Sequence, residues 1–166
     1  MATRGAERTV RPSVLDRLID EADPPSTPAE TVRAFRAAVL RDVEWLLNTR
    51  RIAEPAPDAC PELQRSVYHF GIPDITSLSA DSDAVRKRLL RQVEECIALF
   101  EPRLSGTRVT LAPDESGGRR RVRFVVEGLL RMDPDPERVV FDTVLETASG
   151  RFTVSGGAAA PAETRR

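Results

Sequence analysis

His69 is the only histidine in a chain of 166 residues, and that count removes most of the chemistry that side chains assemble. Nucleophilic triads and multi-histidine metal sites need imidazole at set positions, and no GxSxG, HExxH or GxxxxGK pattern is present. Standing between Tyr68 and Phe70, His69 reads as a loop histidine packed beside two aromatics. Acids number 26, but paired-carboxylate hydrolysis needs one acid of raised pKa in an apolar pocket and a second roughly 5–9 Å away. The spacing of the acids singles out no such pair. Cys60 lies in a Pro-rich stretch and Cys96 inside a helical pattern, with no second pair to complete a metal site, so both are expected as free thiols. No catalytic residue, metal ligand or cofactor site is assigned, and the chain reads as a non-enzyme.

The most informative short motif is Glu101-Pro102-Arg103, at the end of a helical pattern. A proline pushes the preceding residue out of the helical region, so Glu101 should stand at the helix terminus, where its charge opposes the dipole. Arg103 is well placed for that dipole. The residues alone support two readings equally. One is a local surface ion pair, worth about 0–1 kcal/mol. The other is a pair of charges directed at a partner, which a locally disfavoured residue makes plausible.

The elements that must position this motif follow from periodicity and punctuation. Residues 1–28 read as an arm, polar and closed by DPPSTP, with Val14, Leu15, Leu18 and Ile19 spaced as a short docking helix behind Ser13. Thr27-Pro28-Ala29-Glu30 is a capping box with proline in the first turn, predicting a helix to about Arg50 with Val32, Phe35, Val39, Val43, Leu46 and Leu47 on one face. Trp45 beside that stripe is expected to be partly buried. A stretch with four prolines and Gly71 follows; Val67, Tyr68, Phe70, Ile72, Ile75 and Leu78 argue that it packs on the core or on a partner. A second helix, capped by Asp81 or Ser82, carries Val85, Leu89, Val93, Cys96, Ile97 and Phe100 at three- and four-residue spacing until Pro102 stops it.

Strands are expected over 107–112, 120–131, 138–147 and 151–154, joined by turns at PDESGG, DPDP and Ala148-Ser149-Gly150. Gly128 interrupts the longest and predicts a bulge there. Gly117-Gly118 is turn chemistry, since no helix follows it to hold a phosphate. Helices first and hairpins afterwards make an α+β fold: two long amphipathic helices packed on one face of an antiparallel β-meander, with the short N-terminal helical arm. The organisation expected is an arm over 1–28, a single α+β domain over 29–155, and a disordered low-complexity tail over 156–166.

Charge and hydropathy narrow the partners. Lys87 is the one lysine among 25 basic residues, and the net charge is −1, so no global field favours nucleic acid. Arg119, Arg120, Arg121 and Arg123 form a local cluster, read either as a solvated strand end or as a patch for an acidic partner surface. No window is apolar enough to span a membrane and no secretory signal opens the chain, so a cytoplasmic protein is expected.

Three ordered segments carry a resemblance: Asp42-Val43-Glu44-Trp45-Leu46-Leu47-Asn48-Thr49-Arg50-Arg51, Ser66-Val67-Tyr68-His69-Phe70-Gly71-Ile72-Pro73-Asp74, and Glu101-Pro102-Arg103. Together they resemble TssE, the type VI secretion baseplate subunit, a family related to a small wedge protein of contractile phage baseplates. The likeness spans roughly residues 12–155, including Leu15-Asp16-Arg17-Leu18. One departure is His69-Phe70-Gly71, where relatives often have asparagine-tyrosine-glycine. The resemblance implies a structural wedge component with no small-molecule substrate and no membrane insertion, cytoplasmic at a baseplate docked on the inner membrane. It implies that Glu101 and Arg103, presented by Pro102, hold the subunit to the core bundle of the other wedge proteins. It also implies that the sheet serves as a platform for sheath subunits, with the 138–154 hairpin taking part and Phe152→Pro reducing sheath assembly. Two rival functions share the fold by resemblance: a regulatory module like the small anti-adaptors, and a peptidoglycan hydrolase, after the lysozyme label that relatives have carried.

Overall fold

The computed structural model of the protein describes residues 18, 27–54, 56–57, 59–75, 82–113, 121–133 and 135–156. Of the expected arm it therefore includes Leu18, Thr27 and Pro28. Asp81, Leu78, Arg119, Arg120, the Gly117-Gly118 turn and the tail beyond Gly156 lie outside the described residues.

Helix α1 spans Pro28–Asn48 and opens with the expected capping box: the Glu30 N–H donates to Thr27 Oγ1 at 3.2 Å and the Thr27 N–H donates to Glu30 Oε2 at 3.1 Å. It stops two residues short of Arg50 because tertiary structure claims the next backbone groups. Thr49 is extended, its carbonyl accepts from Ile72 N–H at 3.0 Å, and Arg51 N–H donates to the Ile72 carbonyl at 2.9 Å, a short parallel bridge from helix end to loop. Gly71 permits that approach. It has φ +98°, and a Cβ there would stand 2.3 Å from the Thr49 carbonyl oxygen.

The loop between the helices carries two 3₁₀ turns, Pro61–Arg65 and Val67–His69, and as expected it packs on the core, through Phe70, Ile72 and Ile75. Val67 is the exception, almost wholly exposed at the loop's surface. Helix α2 spans Asp83–Phe100 behind Ser82. Cys96 Sγ donates to the Gly71 carbonyl at 3.3 Å, so the same glycine region ties the loop to both helices.

Strands β1 (Leu104–Leu111), β2 (Arg121–Leu130), β3 (Glu137–Glu146) and β4 (Arg151–Gly156) form one antiparallel sheet in the order β1-β2-β3-β4. Val122, Phe124, Val126 and Leu130 of β2 and Val139, Phe141 and Leu145 of β3 face inward onto Val39, Val43, Leu46 and Leu47 of α1 and Leu89, Val93 and Ile97 of α2. Each such side chain contributes about 1.5–3 kcal/mol by leaving water. The opposite sheet face carries no layer among the described residues. The fold is α+β, as the order of elements implies.

Two expectations are corrected. β2 pairs with β3 without interruption at Gly128; the bulge lies in the neighbouring strand, where the register of β1 slips between Ser105 and Arg108 opposite that glycine. Gly106 supplies the positive φ of +63°, and Gly128 leaves room for the Ser105 carbonyl, 3.6 Å from where its Cβ would be. Trp45 is turned outward, 55% exposed, with the Arg41 guanidinium 5.1 Å over its ring.

Candidate functional site

Glu101, Pro102 and Arg103 form the link between α2 and β1. With Pro102 behind it, Glu101 leaves helical geometry (φ −120°, ψ 76°), while its N–H still donates to the Ile97 carbonyl at 2.8 Å. Arg103 is anchored on the other side, its carbonyl accepting from Arg131 N–H at 2.8 Å just past β2. The segment is therefore fixed at both ends by backbone bonds.

The side chains pair as the local reading requires, but the pair is not on an exposed surface. Glu101 is 3% exposed. Its Oε1 accepts from the Arg103 N–H at 3.2 Å and from Arg103 Nε at 2.6 Å, and its Oε2 accepts from Arg103 Nη2. The same Nη2 donates to Asp42 Oδ2 at 2.6 Å, and Asp42 Oδ1 accepts from Arg41 Nε and Nη2 at 3.1 and 2.9 Å. The bond to Glu101, set against partial burial, and the bond to Asp42 hold the Arg103 pKa above the ordinary arginine value, so this cation does not titrate. A bidentate guanidinium–carboxylate pair of this kind has strong geometric preference. Glu101 is thus a positioning residue, and Arg103, its side chain one quarter exposed, is the member of the pair that reaches the surface.

That surface is a groove of about 270 Å³ lined by Arg41, Asp42, Trp45, Leu46, Phe70, Phe100, Glu101 and Arg103. Phe70 and Phe100 pack edge to face at 5.3 Å, and the Arg103 guanidinium lies 5.9 Å from the Phe35 ring. The groove thus brings together the first, second and third of the three sequence segments singled out above. An exposed tryptophan beside an aromatic floor and a fixed arginine has the composition of an interface anchor. Asp42 and Trp45 are the residues that the sequence reading of the motif missed; the pattern around α1 carried them, but only the fold sets them against Arg103.

Phe152 lies elsewhere, at the far edge strand. Its side chain is wholly buried, 6.0 Å edge to face from Phe124, while its backbone faces outward. There it meets the side chain of Asn48: Phe152 N–H donates to Oδ1 and Nδ2 donates to the Phe152 carbonyl, each at 2.9 Å. Val154 N–H donates to Glu44 Oε1 at 3.5 Å, and on the opposite edge Val109 N–H donates to Glu94 Oε2 at 2.8 Å. Helix side chains therefore cover both outer strands at these points. Beyond these points, β4 is described as far as Gly156, opposite Phe141, and among the described residues Glu137–Val140 of β3 have no strand partner on that side, beside a groove of about 190 Å³ lined by Arg36, Ala37, Leu40, Val139, Val140, Phe141 and Gly156.

Other candidates do not converge. The Tyr68 and His69 rings are 5.9 Å apart in the loop. Cys60 is exposed and Cys96 buried, both free, and burial pushes the Cys96 thiol up to about 11. Among the described residues no cluster of His, Cys, Asp and Glu could hold a metal ion, and no helix is long and apolar enough to cross a membrane. No curated protein and no solved structure matches the chain. A family model does: the one described as baseplate wedge protein gp25 matches residues 33–135, more than half of the chain, from α1 to the β2–β3 turn.

Proposed function

The chain belongs to the baseplate wedge protein gp25 family, and from that membership we propose that it is a structural, non-catalytic wedge component of a type VI secretion baseplate. In this reading the domain over 29–155 works at the cytoplasmic side of the inner membrane, flanked by the segments 1–28 and 156–166. It binds the helical core bundle of the other wedge proteins through Glu101, Pro102 and Arg103, and it offers its sheet to the contractile sheath.

The observation that carries the proposal is the prebuilt groove at Arg103. Glu101 and Asp42 fix the guanidinium without using Nη1, and Trp45, Phe70 and Phe100 supply apolar area beside it. A helical partner with an apolar stripe and an acceptor at its end fits such a groove. For the sheath, the supporting feature is the Glu137–Val140 edge of β3, which has no strand partner beside β4 among the described residues, with Phe152 holding β4 in place from inside the core.

The test is a co-expression pull-down with the neighbouring wedge proteins. Trp45→Ala keeps the ion pairs and should lower capture at least tenfold, and Arg103→Ala should abolish it in protein shown to be folded. Capture of both variants at the wild-type level overturns the groove assignment. No capture of the wild type overturns the wedge reading.

A further inference from the structure

The outer sheet face holds a charge imbalance that the groove does not use. Arg121 and Arg123 alternate outward on β2 with the buried Val122 and Phe124, and Arg151 points the same way on β4, next to the buried Phe152. Across the strands Arg121 pairs in register with Glu146 and Glu146 with Arg151, while Arg123 sits in the adjoining row with Val144 and Thr153. Residues two apart on a strand stand about 7 Å apart on one face, and next-nearest strands about 10 Å. Three guanidiniums thus surround one carboxylate. None of the three forms an ion pair or side-chain hydrogen bond among the described residues, and Glu146 Oε2 instead accepts from the Ser149 hydroxyl at 2.8 Å.

We propose that this arginine corner is a second docking surface, taking an acidic protein segment whose carboxylates are roughly 7–10 Å apart. Charge complementarity selects the occupant. Guanidiniums on a firm strand pair bidentately with carboxylates, and Val144 and Thr153 give the apolar contact between them that a protein segment uses. A nucleic-acid backbone fits less well, because Glu146 at the centre and Asp142 in the row beyond Arg123 oppose a continuous run of phosphates, and the net charge of −1 supplies no attracting field. The corner comprises the start of β2, the end of β3 and the start of β4, so it lies at the opposite end of the sheet from Arg103. A subunit with both surfaces is gripped at its two ends by different neighbours.

The probe is a labelled peptide of alternating glutamate and valine, titrated with the full chain and followed by fluorescence anisotropy at low salt. Wild type should bind, with an affinity that falls steeply as salt rises. Arg123→Glu and Arg151→Glu should each weaken binding about tenfold or more, while Arg91→Glu on α2 should stay within twofold. Both corner positions are on the exposed face, and circular dichroism checks that the variants fold. Absence of binding by wild type, equal loss with Arg91→Glu, or tighter binding of a single-stranded oligonucleotide of the same charge each overturns the proposal. Trp45→Ala should leave peptide binding unchanged, so the outcome is separate from that of the groove.

Discussion

The carboxamide of Asn48 holds the backbone of Phe152 as a neighbouring strand would, accepting from its N–H and donating to its carbonyl at 2.9 Å each way. One side chain on α1 thereby covers the outer backbone edge of β4 at Phe152. Asn48→Ala leaves two partly buried backbone groups without partners, at a cost of about 1–3 kcal/mol. Urea unfolding should show the loss, and the uncovered edge should promote self-association on heating.

The Glu137–Val140 edge of β3 gives a sharper test of sheath contact than the Phe152→Pro change expected from sequence, since that change removes a buried aromatic and the N–H held by Asn48. Alternation along the ladder directs the Val140 N–H toward the side that has no strand partner among the described residues. Val140→Pro should therefore stay within about 1 kcal/mol of wild-type stability while sheath assembly falls. Normal assembly in that variant would remove β3 from the contact.

Removing Arg103 alone leaves the Glu101 carboxylate buried without its partner. The loss expected from the buried-pair range, reduced because Arg103 is one quarter exposed, is about 2–4 kcal/mol. The double change Glu101→Gln with Arg103→Met should cost less than the sum of the single changes by about 1 kcal/mol or more. Additive losses in chemical denaturation would mean that the pair is not coupled.

Cys96 gives the pH dependence. Its thiol ionises at about 11 in the fold and at 9.0 ordinarily, with burial as the main cause, so the unfolded chain releases this proton first. Stability from this group is complete below pH 9 and is lost as pH rises toward 11, by about 2–3 kcal/mol. Wild type should lose more stability than Cys96→Ala over that interval. Thiol-reactive labels should meanwhile modify the exposed Cys60 quickly and Cys96 only on unfolding.

Much of this was legible in the sequence because local signals and fold agree. Thr27 and Glu30 set the start of α1, Pro102 sets the end of α2, and the alternation in β2 and β3 gives the sheet its inner face. β1 begins at Leu104, three residues before the expected Thr107, because the bulge at Gly106 and Thr107 breaks the alternation that would reveal its first residues. Gly128 signalled a crowded crossing but not which strand would bend. The burial of Glu101 was hidden for a different reason: the Arg103 guanidinium paired with it is held in turn by Asp42 and lies by Phe35, residues distant in sequence that only packing brings near.

The anchoring of Arg103 has a mechanical consequence. Its carbonyl is bonded to Arg131 at the end of β2, and the next residue, Leu104, is the first of β1. A pull on the guanidinium passes directly into two strands. If it is resisted at the β3–β4 turn, at the other end of the sheet, the load runs parallel to the strands and meets the ladder in shear. Bonds loaded this way share the strain and yield together, whereas a pull across the strands would open them one at a time. The sheet is stiffest along the line that joins its two ends.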